Sequence, residues 1–338
     1  MRITTKKIFI SVISVLAIGI VAGLIYRHVT KEPVPEYVFT YAENQSDSFP
    51  TSLGAYYFAE LVGERSGGRI KILVYTNGEL GREADIIRQM KYGGVDFARL
   101  SLSQVAEVYP DLNILQMPYL YNDADHMWRV LDGPIGDMFL AKMEDLDMVG
   151  LSWYDAGARS FYVSGDAVSS PEDMRGLRIR VQQSELMEDM VECLGAEPVP
   201  ISYEEVYSAL ELGTIDGAEN NWPSYEDMGH YKVADTYIVD EHTRVPEMQL
   251  CSENTWNMLS EEDREMIMQC AAESAIYERV LWQEREESSR DRCLECGVRV
   301  LEITPEEKDR FREAMAPVYE KYCKDDKDLL EEIIRMGS

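Results

Sequence analysis

The chain reads as an α/β protein of two domains with one long helix running between them. Its 338 residues exceed the usual size of a single domain. From Tyr37 onward, short β-branched and aromatic runs alternate with segments whose apolar residues recur at helical spacing. That alternation predicts βαβ units and a largely parallel sheet. From Glu261 to about Arg290 the sequence is charged and amphipathic, with almost no helix breaker. Such a helix would be about 45 Å long. Its apolar positions are too sparse for sustained heptads, so it reads as a strut crossing two domains rather than a coiled coil.

The first 32 residues differ from the rest. Arg2, Lys6 and Lys7 precede an uncharged run from Ile8 to Tyr26, after which come Arg27, His28 and Lys31. At 1.5 Å per residue the run is about 28 Å long, close to the hydrocarbon thickness of a bilayer. Residues 1–32 therefore read as an export signal, either a cleaved signal peptide or a retained signal anchor with its linker. The length of the run and the absence of a clean A-x-A site favour retention.

After the linker containing Pro33 and Pro35, Tyr37 to Tyr41 has the composition of a strand. Phe49 to Arg65 has helical spacing and is ended by Gly67-Gly68; Arg69 to Tyr75 alternates as a strand and meets the turn Asn77-Gly78. Ala84 to Tyr92 is expected to be helical, followed by a strand at Val95 to Ala98. Further on come strands at Val149 to Tyr154 and Leu177 to Val181, and a helix from Ser184 to Leu194. A second helix is expected from Glu204 to Leu212, then a strand near Gly217.

With 62 acidic residues against 33 basic ones, the net charge is -29. This excludes a phosphate-tracking nucleic-acid binder and a peripheral anchor on anionic lipid. Hydrophobic residues at 45% and charged residues at 28% belong to a chain that can bury a core. Six cysteines, at 193, 251, 270, 293, 296 and 323, leave free thiols or a local disulfide open.

No nucleophile elbow, zincin, P-loop or dinucleotide motif is present, and no metal or cofactor is implied. The informative region runs from Tyr154 to Asn221. Arg178 and Arg180 share one face of a strand by period-2 spacing. Arginine at a strand end suits a bidentate carboxylate clamp. In a chain this acidic, the same arginines could equally form surface or interdomain salt bridges.

Those residues resemble the solute-binding proteins of tripartite ATP-independent periplasmic (TRAP) transporters, the DctP family. The resemblance rests on Gly68-Arg-Ile-Lys-Ile, Gly78-Glu-Leu-Gly81, Gly94-Val-Asp-Phe97, Gly157-Ala-Arg-Ser-Phe-Tyr162, Pro171 to Val181 and Ile215-Asp-Gly-Ala-Glu-Asn220, in that order. It implies a two-domain, type II periplasmic-binding-protein-like fold. Domain I would hold residues 37–156 plus 246–285, and domain II residues 157–245 plus 286–338. It also implies a non-enzymatic, periplasmic or cell-surface receptor, with TRAP membrane permease subunits as partners and membrane contact through the N-terminal segment alone. Arg180 would pair with the carboxylate of an organic acid, supported by Arg159 and Asn220. Asn44 and Glu83 match positions facing ligand hydroxyls, and Tyr154, Gln182, Glu185 and His242 lie near the same strand ends. Asn220-Asn221-Trp-Pro-Ser and Asp240 to Glu247 resemble a subgroup for sugar acids, especially hexuronates such as glucuronate or galacturonate. C4-dicarboxylates and sialic acid are the competing ligands, and an exported enzyme acting on sugar acids is the competing class.

Overall fold

The computed structural model describes residues 34–165 and 168–337. The expected export signal lies outside them. Among the described residues no helix is long and apolar enough to cross a membrane.

The chain begins β1 (Tyr37–Ala42), α1 (Pro50–Arg65), β2 (Ile70–Tyr75), α2 (Glu83–Lys91), β3 (Phe97–Ser101) and α3 (Leu102–Ala106). It continues through α4 (Ala124–Leu131), α5 (Pro134–Ala141), β4 (Met148–Tyr154), β5 (Ala158–Val163), β6 (Arg178–Val181), α6 (Glu185–Cys193) and β7 (Glu197–Pro200). Next are α7 (Val206–Glu211), β8 (Gly217–Asn220), α8 (Trp222–Asp227), β9 (Thr236–Val239), β10 (Thr243–Arg244), β11 (Glu247–Ser252) and α9 (Glu253–Met258). The last elements are α10 (Glu261–Glu295), β12 (Arg299–Glu302), α11 (Pro305–Tyr322) and α12 (Lys327–Arg335).

Two sheets result. One has the order β2-β1-β3-β11-β4; the other runs β12-β9-β5-β8-β6-β7, with β10 paired to β5. The expectation of largely parallel sheets needs correction, because both are mixed. β11 runs antiparallel to β3 and β4, and β5 runs antiparallel to β8 and β9. The physical reason is connectivity. The chain leaves the first sheet at β4 and enters the second as β5, then comes back through β10 and β11. Such returning strands need no helical crossover and are free to pair antiparallel.

α10 is longer than expected, 35 residues rather than about 30, since nothing interrupts it before Gly297 at φ 90°. The Ser260 side chain caps its start by accepting from the Asp263 N–H, and Glu261, Glu262 and Asp263 complement the positive end of the helix dipole. It is tied to both units: Glu273 meets Arg65 of α1 at 2.5 Å, while Arg285 and Arg292 meet Glu226 of α8 at 2.7 and 3.0 Å. Tyr41, Phe58, Phe97 and Ile267 pack one core between the first sheet, α1 and α10. Tyr162, Trp222, Tyr225 and Tyr237 pack another in the second unit.

The C-terminal segment divides between the units. Lys321 of α11 bonds Glu185 and Asp189 of α6, whereas α12 lies against α4, with His126 Nε2 2.8 Å from the Ile333 carbonyl. The residues after 326, expected within domain II, thus pack on the side of the first sheet. Ile333 is fully buried there, and that apolar contact holds the helix in place. All six cysteines are free thiols; Cys296 is exposed, and Cys251, Cys270, Cys293 and Cys323 are buried.

Candidate ligand-binding cleft

A cleft with about 670 Å³ of unfilled space, counted out to its mouth, is lined from both units. The parallel strands reach it with their C-terminal ends. Asn44 follows β1, Ser101 ends β3, Gln182 follows β6 and Asn220 ends β8. The reversed strands reach it with their starts, Arg159 in β5 and Glu247 in β11. Mixed topology therefore brings both strand directions to one site, at the edge where α/β sheets generally hold ligands.

β6 separates its two arginines by depth. Arg178 enters the strand half-exposed and pairs with Asp216 at 2.7 Å, away from the cleft. Arg180, two residues on, is 3% exposed and lines the cleft. Its Nε donates to the Ile201 carbonyl at 3.0 Å, and it meets no carboxylate among the described residues. Burial lowers its pKa from the ordinary arginine value, an effect that nearby Glu219 opposes. The guanidinium keeps its charge even so.

Arg159 is buried too, but it is already paired. Its Nη2 donates to Glu219 Oε1 at 2.9 Å and to the Glu219 carbonyl at 3.0 Å. Burial would raise the Glu219 carboxyl; Arg159 and His242 outweigh that and hold it down at about 2. His242 Nε2 lies 3.7 Å from Glu219, and its Nδ1 is 2.9 Å from Asp240. Against a burial that would lower it, these two carboxylates raise the imidazole to about 9. Asp240 itself is held by the Phe161 N–H at 3.0 Å. His242 therefore stands behind the cleft wall, stacked on Phe161 at 4.2 Å, and steadies Glu219, which steadies Arg159.

The opposite wall is acidic. Arg99, 2% exposed in β3, donates to Glu43 and Asn44, to Glu247 at 2.9 Å and to Glu83 at 3.3 Å. The Ser101 N–H also donates to Glu83 Oε1, at 2.8 Å. Glu83 Oε2 and Glu247 Oε1 take no hydrogen bond from the described residues. Burial pushes the Glu83 carboxyl up to about 7, Arg99 opposing and Glu247 adding to the rise. Glu247 is shifted up for the same leading reason. Thr51 Oγ1, Gln182 Oε1 and Trp282 Nε1 also line the cleft as buried polar atoms without a partner among the described residues. Such groups cost about 1–3 kcal/mol each unless something satisfies them, which is the mark of a site built for a polar guest.

Of the sequence-predicted residues, the cleft collects Arg180, Arg159, Asn220, Asn44, Glu83 and Gln182. Gln182 spans it, its Nε2 donating to Ser101 Oγ at 3.0 Å. Asn220 accepts from the Asn221 N–H through Oδ1, while Asn221 caps α8 and holds the Ala156 carbonyl at 3.0 Å. Tyr154, Glu185 and His242 do not line the cleft. The alternation of β4 turns Tyr154 toward α10, where its hydroxyl meets Ser274 at 2.8 Å. Glu185 is on the surface with Lys321 at 2.7 Å. Trp222 stacks on Tyr237 at 3.6 Å inside the core, and the tryptophan of the cleft is Trp282. Arg99, Glu247 and Trp282 went unnoticed in the sequence. A lone arginine within Val95-Asp-Phe-Ala-Arg-Leu-Ser101 and a lone acid opening Glu247-Met-Gln-Leu-Cys251 were the available signals.

The family model for bacterial extracellular solute-binding proteins, family 7 (DctP), matches residues 41–326. A solute-binding protein of Chromohalobacter salexigens is 36% identical over 282 residues, covering 83% of each chain. A TRAP periplasmic solute-binding protein from Bradyrhizobium sp. btai1, solved with α/β-D-galacturonate, is 41% identical. It superposes with a TM-score of 0.84 over 88% of this chain and 99% of its own. Another, from Roseobacter denitrificans with bound β-D-glucuronate, has 38% identity and a TM-score of 0.84 over the same shares. Likeness this extensive, in sequence and in backbone course, makes this chain a member of the DctP family of TRAP solute-binding proteins, a binding protein and not an enzyme.

Proposed function

We propose that this protein is an extracytoplasmic receptor for a hexuronate, D-glucuronate or D-galacturonate, which it delivers to TRAP membrane permease subunits. The observation that carries this reading is the polarity of the cleft. Arg180, buried without an acidic partner among the described residues, stands on one wall, and carboxylate oxygens that take no hydrogen bond from those residues stand on the other. A hexuronate has one carboxylate for the first and several hydroxyls for the second. Arg159, its charge taken up by Glu219, stands beside Arg180, and Asn220, Asn44 and Gln182 serve ring hydroxyls. Succinate would need a second cationic group, and Arg99 is already saturated by acids. The sugar acids bound by the Bradyrhizobium and Roseobacter relatives support the same choice.

In this reading the two units close on the ligand about the crossovers at 155–157 and 245–246. The export segment at residues 1–32 sets capture outside the cytoplasm, as periplasmic or anchored protein. Titration calorimetry of residues 34–338 with D-glucuronate, D-galacturonate, succinate and sialate tests it. Saturable heat with a hexuronate is expected; heat with succinate or sialate alone overturns it.

A further inference from the structure

The acidic wall does more than offer acceptors. Around the single guanidinium of Arg99 stand three carboxylates, Glu43, Glu83 and Glu247. Glu43 is fully enclosed, whereas the Glu83 and Glu247 side chains are 13% and 11% exposed and open onto the cleft. We propose that Glu83 and Glu247 form a charge filter, admitting sugar acids that end in hydroxyls opposite Arg180 and rejecting the corresponding diacids.

The argument is electrostatic. Arg99 supplies one positive charge against three carboxyl groups. Even with one proton shared between Glu83 and Glu247 near neutral pH, the cluster keeps a net negative charge, so this end of the cleft repels a further anion. Repulsion between like charges in a poorly hydrated site is far stronger than in water, and removing one partner's solvent without pairing it adds to the cost. A hydroxyl carries no such cost, and it donates to the lone pairs on Glu83 Oε2 and Glu247 Oε1. Discrimination thus comes from an obstacle to the wrong ligand as much as from contacts with the right one. The scaffold is suited to this. Glu43 takes Arg99 through Nε at 3.1 Å and also through Nη2, so the guanidinium is fully occupied and cannot turn to accept a ligand carboxylate.

This inference rests on the hexuronate reading, and the test separates the two. The probes are D-galacturonate and D-galactarate, which share their carbon chain and differ by a second carboxylate. Affinities are measured by calorimetry on the wild type, Glu83→Gln and Glu247→Gln. The open-chain shape of galactarate is common to all three proteins, so the change in the affinity ratio isolates charge. We expect the wild type to favour galacturonate at least 100-fold, and each glutamine variant to narrow that ratio at least 10-fold by gaining galactarate binding. The filter is overturned if the ratio stays constant, whether both ligands weaken together or neither changes. It is equally overturned if the wild type takes both acids alike. Failure of the wild type to bind any hexuronate removes the hexuronate reading as well, a result distinct from both. Glu83→Gln guards against misfolding of the more central Glu247→Gln, and thermal melts report on each.

Discussion

Arg159 Nη2 donates to Glu219 Oε1 at 2.9 Å, while Arg180, its neighbour in the cleft, has no acid of its own among the described residues. Glu219 is taken up by Arg159, so the charge of Arg180 is left over at the place where an acid ligand would enter.

Arg180→Ala removes that charge. Truncating one member of a buried, hydrogen-bonded charge pair costs about 2–5 kcal/mol. Hexuronate affinity should therefore fall at least about 30-fold. Arg180→Lys should recover only part of it, because an ammonium cannot make the bidentate contact. Calorimetric titration reads both; affinity within threefold of wild type would remove Arg180 from the site.

Two of the buried histidines, His242 and His230, should titrate in opposite senses. His242, raised to about 9, gains stability from being charged, fully present below its unfolded value of 6.5 and lost as pH rises through 9. His230, lowered by burial to about 3, contributes stability above 6.5 that is lost as pH falls toward 3. Ring-proton NMR between pH 5 and 8 should show His242 charged and His230 neutral throughout. A His242 midpoint below 7 would contradict the Asp240–His242–Glu219 arrangement.

Gly157 lies at the crossover between the sheets, with φ 60°. A Cβ there would come within 2.6 Å of Glu286 Oε1 and 2.8 Å of Trp282 Nε1. Gly157→Ala combines left-handed backbone strain with these contacts and should cost about 1–3 kcal/mol. Scanning calorimetry should record a melting temperature lowered by several degrees; an unchanged melt would refute the crowding.

Trp282 brings an indole from α10 to the cleft wall, whereas Trp153, Trp222 and Trp256 do not line it. Hexuronate binding should change the intrinsic fluorescence, and Trp282→Phe should remove most of that change while the ligand still binds. Retention of the full signal in the variant would place its source elsewhere.

Much of the candidate site was legible because local patterns carry it. Period-2 spacing in Arg178-Ile-Arg180 placed both side chains on one face, and the order of the Gly157, Pro171 and Ile215 segments carried the family resemblance. Tyr154 and His242 were misleading for a definite reason. Nearness to a strand end does not reveal which way a side chain turns, and both turned into packing behind the wall.

Short-range information was sufficient for the strand and helix succession and the uninterrupted α10, since spacing and capping are set within a few residues. It could not reveal the reversed pairing of β5 and β11, the return of α12 to α4, or the Arg99 cluster. Glu43, Glu83 and Glu247 are separated by up to 204 positions along the chain. Only folding brings them to one guanidinium, and the sign of the charge that remains depends on which groups share that desolvated space.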